Sequence, residues 1–582
     1  VKARTVTVNP ALGAVVAIEV VGLAVQAILP PGRFGWWPLA VITVLSGVLL
    51  LVRVHRHNLA LWLAARAHWH RQRRRTTAVG AAVDISHGGA VYGVRTADHE
   101  AVTVIEVDGR AYSPTFLRGS SLALTDNVLP LRVLTDLMEQ PGGLLLGVDV
   151  VSDGYRVRPG TGYPQLYVTL LADRGAAGQR TTYLVVRLDI TESVQGLVYR
   201  RSIGSAAAAA TERIVKELEQ VGVRARALGA EEHDAVLATL SLGLATAPTR
   251  PITVDDAAVV DEDLDVDPVA ELVTAGARHR RGDTAARRLP AASEEPRVRP
   301  TSDVGWNTIN TNTGFVTSYY FSADDITTDS FNQMWSLPSD HIVHVLALRK
   351  RRGGPVTVKA LVRTTEPSRP DQPPTLYLNT LPGDQYAAAL RAAPTSQPRL
   401  QLPSRVLDPA EDLRIPIGPT GMLVGSALRD DTSGQPKIQR DDLVMLALTD
   451  PQRPTRIVMD TSEFYVRQLM IRAAAAGERI AIYSRDPQRW YSVSQPNIAI
   501  VQPGRPAEFV PTIIVNDRPH LAPSAGLSST VITLGTAGGD TAVPDVRFEQ
   551  TSQSTVRITT ATGRDPLDVA MVVFRQEQTW TG

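Results

Sequence analysis

PALGAVVAIEVVGLAVQAILPPGRFGWWPLAVITVLSGVLLLVRV, residues 10–54 of a 582-residue chain, is the stretch on which the architecture turns. It holds two apolar runs, 11–29 and 36–54, on either side of Pro30-Pro31-Gly32-Arg33-Phe34-Gly35. At about 1.5 Å of rise per residue, either run reaches roughly the 30 Å of a bilayer's hydrocarbon core. There, every backbone N–H and C=O needs a partner within the segment, so both runs are predicted as helices. Two prolines and a glycine between them predict a tight transmembrane hairpin. Lys2 and Arg4 precede it, and Arg53, Arg56, Arg66 and the Arg71–Arg75 cluster follow it, while the turn carries only Arg33. The excess of basic residues on the two flanks predicts a two-pass protein of the inner (cytoplasmic) membrane with both ends in the cytoplasm. Two other readings are a cleaved signal peptide ending near Val25-Gln26-Ala27 and a pair of core helices. Glu19 and the heavier basic flank of the second run disfavour the first, and the length of the apolar runs disfavours the second. Glu19, near mid-run, is expected to make an intramembrane polar contact with another subunit.

Residues 55–77 read as a basic amphipathic juxtamembrane helix. Leu59, Trp62 and Trp69 share one face, and Arg71, Arg73, Arg74 and Arg75 close the segment. Trp62, Trp69 and these four arginines are the candidates for contact with the inner leaflet, anionic lipid or a partner protein. His55, His57, His68 and His70 point to different helix faces and are expected to be solvated rather than metal ligands.

Composition narrows the rest. Net charge is +1 and cysteine is absent, so disulfides, thiolate metal sites and cysteine nucleophiles are excluded. Nothing in the overall charge points to nucleic acid. Arginine greatly outnumbers lysine, as in GC-rich genomes, and Val1 is expected to be a GTG start.

Beyond the hairpin the fold class expected is α+β or mixed α/β, in cytoplasmic domains at 78–245, 301–425 and 426–582. β-Branched and apolar runs predict strands at Ala90–Val94, Val102–Val107, Leu144–Val151, Leu166–Leu171 and Tyr183–Ile190. Asp108-Gly109 reads as a hairpin turn. An alanine-rich helix from Ser205 is expected to stop at Gly222, and another covers Ala230–Leu240. Residues 246–300 are rich in Pro, Ala, Asp, Glu and Arg and read as a flexible charged linker, with one short helix near 269–277. Strands are then expected at Phe315–Phe321, Ile342–Arg349 and Val356–Thr364, with a helix at Gly383–Ala392. In the last third, helix Ser462–Ala476 ends at Gly477, and strands follow, the last at Ala570–Phe574.

The search for chemistry returns no P-loop, dinucleotide fingerprint, HExxH, GxSxG or EF-hand spacing. Asp261-Glu262-Asp263-Leu264-Asp265-Val266-Asp267 superficially matches the DxD of metal-dependent glycosyltransferases, which makes a membrane-anchored enzyme of that kind the alternative function. A solvated acidic run is the simpler reading. Asp84, His87, His99 and Glu100 read as surface residues; Arg363, Trp306 and Trp335 read as core closures. No catalytic, cofactor-binding or metal-binding residue is singled out.

Several local patterns occur in a telling order. They are Tyr183-Leu-Val-Val-Arg-Leu-Asp189, Glu219-Gln-Val-Gly-Val-Arg224, Trp306, Ser318-Tyr-Tyr-Phe-Ser322 and Ala360-Leu-Val-Arg-Thr364. Leu381-Pro-Gly-Asp-Gln385, Pro416 to Gly425, Arg467-Gln-Leu-Met-Ile-Arg-Ala473, Gly477-Glu478 and Trp490 follow. With the N-terminal apolar runs, the chain resembles the EccE family, a membrane component of actinobacterial type VII (ESX) secretion systems. The resemblance spans nearly the whole chain except 246–300. It implies a non-catalytic inner-membrane subunit without cofactors, supporting assembly or stability of the export complex. Its implied partners are EccB-, EccC- and EccD-like subunits, with the EccC ATPase as motor.

Overall fold

The computed structural model describes residues 6–8, 16, 18–20, 23–24, 37–54, 57–73, 76–97, 99–119, 122–158, 171–172, 174–247, 302–396, 400–409, 411, 413–431, 436–501, 507–517, 530–535, 543–561 and 565–581. The Asp261–Asp267 run, the helix expected near 269–277 and nearly all of the strand expected at 166–171 lie outside them.

The N-terminal segment departs from the expected hairpin. Among the described residues no helix is long and apolar enough to cross a membrane. The second run forms α1, Trp37–Leu51, of only 15 residues, about 22 Å long at helical rise. The chain then extends: β2 (Val52–Val54) pairs antiparallel with β1 (Val6–Val8), matching Val6 with Val54 and Val8 with Val52. It turns back as β3 (His57–Asn58). Val52 and Val54 are β-branched and alternate with Arg53, a pattern that suits a pleated ribbon better than a final helical turn. Most of the first run lies outside the described residues. The transmembrane hairpin is therefore corrected to a sheet-based, mixed α+β architecture, and the two-pass topology read from the flanking arginines falls with it. Helix α2, Leu59–Gln72, follows.

The central sheet is antiparallel. Its long strands are β4 (Val83–His87), β5 (Ala90–Thr96), β6 (Glu100–Asp108), β7 (Leu144–Tyr155), β8 (Gln179–Asp189), β9 (Arg224–Ala227), β10 (Gly314–Phe321), β11 (His341–Lys350) and β12 (Val356–Glu366). Across the sheet they run β10-β12-β11-β7-β8-β6-β5-β4, with β9 pairing the far end of β6. Strands from 78–245 and from 301–425 thus share one sheet, joined where β7 meets β11 with Val151 opposite Val345. Three strands of each half repeat one order: β6 and β10 lie farthest from the junction, β7 and β11 meet at it, and β8 and β12 lie between. The sequence shows only a loose similarity here; the topology shows a pseudo-twofold.

Both faces of this sheet are covered, so its strands are apolar almost throughout. On one face Val148, Val150, Leu184, Val186, Leu346 and Leu348 join one core cluster that also takes in the buried face of α3, Ile203–Gln220. Ala206 to Ala210 of α3 are all buried; their small side chains bring the helix axis close to the strands. Ser202 caps α3 in a reciprocal box with Ser205, and Gly222 ends it at φ +81°. On the other face Val102, Val151, Val185 and Val345 pack beneath α4 (Ala230–Leu240), α5 (Gln385–Arg391) and Trp69 of α2.

Asp108-Gly109 does not make a hairpin. Gly109 lies against Asn127, where an added Cβ would sit 2.3 Å from the side-chain Cγ, and Arg110 N–H donates to Asn127 Oδ1 at 2.7 Å. The chain instead crosses to a second sheet, where Thr115–Arg118 pairs with Leu443–Met445. That sheet has a parallel part made of β13 (Thr455–Asp460), β14 (Ile480–Ser484), β15 (Ile498–Val501), β16 (Ile513–Asp517), β17 (Thr530–Leu534) and β18 (Val546–Gln550), ordered β15-β14-β16-β17-β13-β18. Helix α6, Glu463–Ala476, connects β13 to β14 and ends at Gly477, φ +109°. The strand expected at Ala570–Phe574 lies at Leu567–Ala570.

Candidate interaction surfaces

Trp62, Arg66, Trp69 and Arg73 recur every three or four residues and so share one face of α2. That face is turned onto the body. Trp69 is buried, and its Nε1–H donates to the Val304 carbonyl at 3.0 Å. Its ring meets Trp306 edge-on at 5.7 Å, and Trp62 reaches the same ring at 5.7 Å. The Arg66 guanidinium lies 4.5 Å from the Trp69 ring centre and 4.9 Å from that of Trp306, while Arg73 lies 5.1 Å from Trp69. These cation–π contacts supply favourable electrostatics at the two arginines. Partial desolvation, then Arg73 and Arg66, hold His70 below its ordinary pKa. Just beyond, Thr77-Ala78 pairs parallel with Ala245-Thr246, and the Thr77 and Tyr386 hydroxyls lie 2.6 Å apart.

Of the residues singled out from sequence, Trp62, Trp69 and Arg73 are thus brought together. Arg71 is exposed, Glu19 is an exposed helical residue, and Arg74 and Arg75 lie outside the described residues. His87 sits 3.3 Å from Glu212, Asp84 accepts from Ala230 N–H at 2.6 Å, and Glu100 pairs with Arg187. Among the described residues no group of three or more His, Asp or Glu side chains is placed to hold a metal.

A second surface is missing from the sequence reading. After β8 the chain forms a one-turn helix, Val194–Leu197, then Val198-Tyr199-Arg200-Arg201. Val194 and Val198 are 42% and 43% exposed, and Tyr199 is 89% exposed. This knob is rigidly seated. Leu197 is buried, Ser193 Oγ accepts from Leu145 N–H at 2.9 Å, and a Cβ on Gly196 would lie 2.3 Å from the Gly142 carbonyl oxygen. Arg352 ties it down by donating to Glu192 O at 2.7 Å and Gly143 O at 3.0 Å. The result is an apolar tip ringed by Arg201 and Arg352, shaped for a partner with an apolar pocket and an acidic rim. Its signal in the sequence is Val198-Tyr199 set directly before Arg-Arg, outside any helical or strand period.

Comparison with known proteins gives this surface a context. Residues 176–320 match the family described as "Putative type VII ESX secretion system translocon, EccE". The chain is 27% identical over 507 residues to the ESX-2 secretion system protein EccE2 of Mycobacterium tuberculosis, covering 83% of this chain and 81% of that protein. It is 26% identical over 444 residues to the ESX-5 secretion system protein EccE5 of the same species, covering 70% and 94%. A shorter match, 30% identical over 206 residues, joins it to the ESX-1 secretion system protein EccE1, covering 33% and 43%. Family match and long relatives agree with the motif order along the sequence: residues 176–320 match the EccE family, and most of the chain is similar to EccE proteins of type VII (ESX) secretion systems.

Proposed function

We propose that this chain is a structural subunit of a type VII (ESX) secretion complex, joining neighbouring components through preformed surfaces and supporting assembly of the machine. The observation that carries this reading is the rigid Val194–Arg201 knob, which lies within the family-matched segment 176–320. A tyrosine 89% exposed on a fixed loop beside arginines has the make-up of an interface anchor. EccB-, EccC- and EccD-like subunits are the partners in this reading. The complex works at the inner membrane. Two features support that location: large exposed apolar side chains on α1 (Trp37, Val41, Val44, Leu45 and Val48), and exposed Arg71 in the last turn of the tryptophan-bearing α2. A neighbouring subunit or anionic lipid would cover the former, and anionic headgroups would suit the latter. Glu19, exposed on its helix, is available for a polar contact with a neighbour in the same assembly.

Affinity isolation of the tagged full chain from detergent-solubilised membranes tests the reading. Wild-type chain should recover the EccB-, EccC- and EccD-like subunits, and the Val198→Glu, Tyr199→Glu double variant should lose at least one of them with its circular dichroism unchanged. Failure of the wild type to recover any of the three overturns the role. Equal recovery by the double variant removes the knob from the interface.

A further inference from the structure

One end of the central sheet carries more positive charge than its surroundings balance. Asp149 of β7 is fully buried. Arg187 Nε approaches its Oδ2 at 2.6 Å, Arg349 Nη2 its Oδ1 at 2.6 Å and Arg391 Nη2 its Oδ1 at 3.7 Å. The arrangement depends on a missing side chain. Gly147 stands directly across from Arg187 on β8, and on the other side a Cβ at Gly147 would lie 3.1 Å from Arg349 Cδ. Arg349 uses the open space over this glycine to turn toward Asp149.

Next in the same row, Ala347 separates Asp149 from Lys359 on β12. Glu100 adds the one further carboxylate among the described residues, 3.3 Å from Arg187 Nη1. Four cations, Arg187, Arg349, Arg391 and Lys359, thus face two carboxylates. Arg187 is consumed: it also donates to the Thr395 and Ala393 carbonyls. The other side of the cluster is unfinished. Arg391 is buried, and its Nε has no hydrogen-bond partner among the described residues. Lys359 is half-buried and has neither ion pair nor hydrogen bond among them. The charged groups acting on it are Arg391 and Arg349, which, after burial, lower its pKa. Leaving buried donors and like charges together without an acceptor is unfavourable. The solvent-facing side is lined by Lys359 and Arg349, the latter 24% exposed, with Arg391 buried behind them.

We propose that Arg349, Lys359 and Arg391 form a binding site for a doubly charged oxyanion of the phosphate class. Such an anion cancels the excess of two positive charges and accepts from both the Lys359 ammonium and the Arg391 Nε–H. The phosphate can be free in solution or a terminal phosphomonoester on a lipid headgroup.

Inorganic phosphate titrated into the purified full chain, against chloride at matched ionic strength, is the test. Phosphate should raise the thermal midpoint by several degrees and slow acylation of Lys359 at least threefold by mass spectrometry, with Lys216 and Lys437 as internal standards. Lys359→Met should weaken phosphate binding about tenfold while the fold is retained; Lys359→Arg should keep it. The labelling measurement needs no variant, so it decides the matter even if Lys359→Met misfolds. Phosphate that acts no differently from chloride, or protects all three lysines alike, overturns the site. Phosphatidic acid vesicles that protect Lys359 in competition with phosphate assign a lipid phosphomonoester; phosphate protection without vesicle protection assigns a free anion.

Discussion

Two buried histidines make the stability of this protein depend on pH. His233 is held with Nδ1 3.0 Å from the Gly93 carbonyl, and burial, then Arg95, bring its pKa down to about 4. His344 is buried against Trp335, its Nε2 has no hydrogen-bond partner among the described residues, and burial, then Arg180, bring it down to about 3. Both take up a proton more readily unfolded than folded. Their contribution is therefore complete above about pH 6.5 and is lost as pH falls from there toward the folded values, by up to about 3 kcal/mol for His233 and about 5 kcal/mol for His344. The urea midpoint should drop steeply between pH 6.5 and pH 4.5. His344→Leu should flatten that slope, at little cost near pH 7, because it removes an unpaired buried nitrogen; an unchanged slope would exclude His344 as a contributor. Asp149 acts in a lower window: burial alone would raise its pKa, but Arg349, Arg391 and Arg187 hold it well below the usual carboxylate range. At Gly421, φ is +80° and an added Cβ would meet the Leu446 carbonyl carbon at 2.2 Å. Gly421→Ala should thus cost about 3 kcal/mol or more by chemical denaturation.

At the scale of elements, α2 is held by its tryptophans. It buries little else: among the described side chains of α2, Trp69 alone is buried. Trp69→Ala removes the indole, its hydrogen bond to Val304 and the seat for Arg66 and Arg73, an expected loss of about 3–5 kcal/mol of local docking. Limited trypsin digestion should then cut after Arg71 and Arg73 well before the sheet is attacked. Trp306→Ala should do the same, and the two changes together should cost less than their sum because they empty one cluster. Cleavage no faster than in the wild type would mean that the Thr77–Ala78 pairing, not the indoles, fastens the segment. Some elements were legible because their signals are local. Gly222 and Gly477 stop α3 and α6 as their position predicts, and the β-branched runs in β7, β8, β11 and β12 are strands. The Asp108-Gly109 turn and the apolar 36–54 run failed for the opposite reason: a partner distant in sequence, Asn127 in one case and Val6–Val8 in the other, decided the outcome.

For the whole molecule, the decisive contact is the pairing of β7 with β11, which makes residues 78–247 and 302–425 mutually dependent. Expressed alone, either half would expose a long, apolar, unprotected edge strand at what should be the middle of a sheet. The 78–247 fragment alone should therefore be recovered as aggregate, and co-expression with 302–425 should restore a soluble pair with one unfolding transition. A soluble, cooperatively folding 78–247 fragment would contradict this dependence. The same pairing sets Arg349 of one half over Gly147 and Asp149 of the other, so the cationic cluster exists only when the halves are joined.

By itself, the sequence determined the elements, the stops between them and, through motifs in a characteristic order, the family. These are properties of short windows, set by side-chain period, β-branching and the backbone freedom of glycine. Only the tertiary structure decided that two runs of strands make one sheet, that the tryptophans of α2 turn inward, and that Tyr199 stands out. It also decided where four cations meet two carboxylates. Those outcomes depend on pairings between residues tens to hundreds of positions apart, where many registers satisfy the same local pattern and packing selects one.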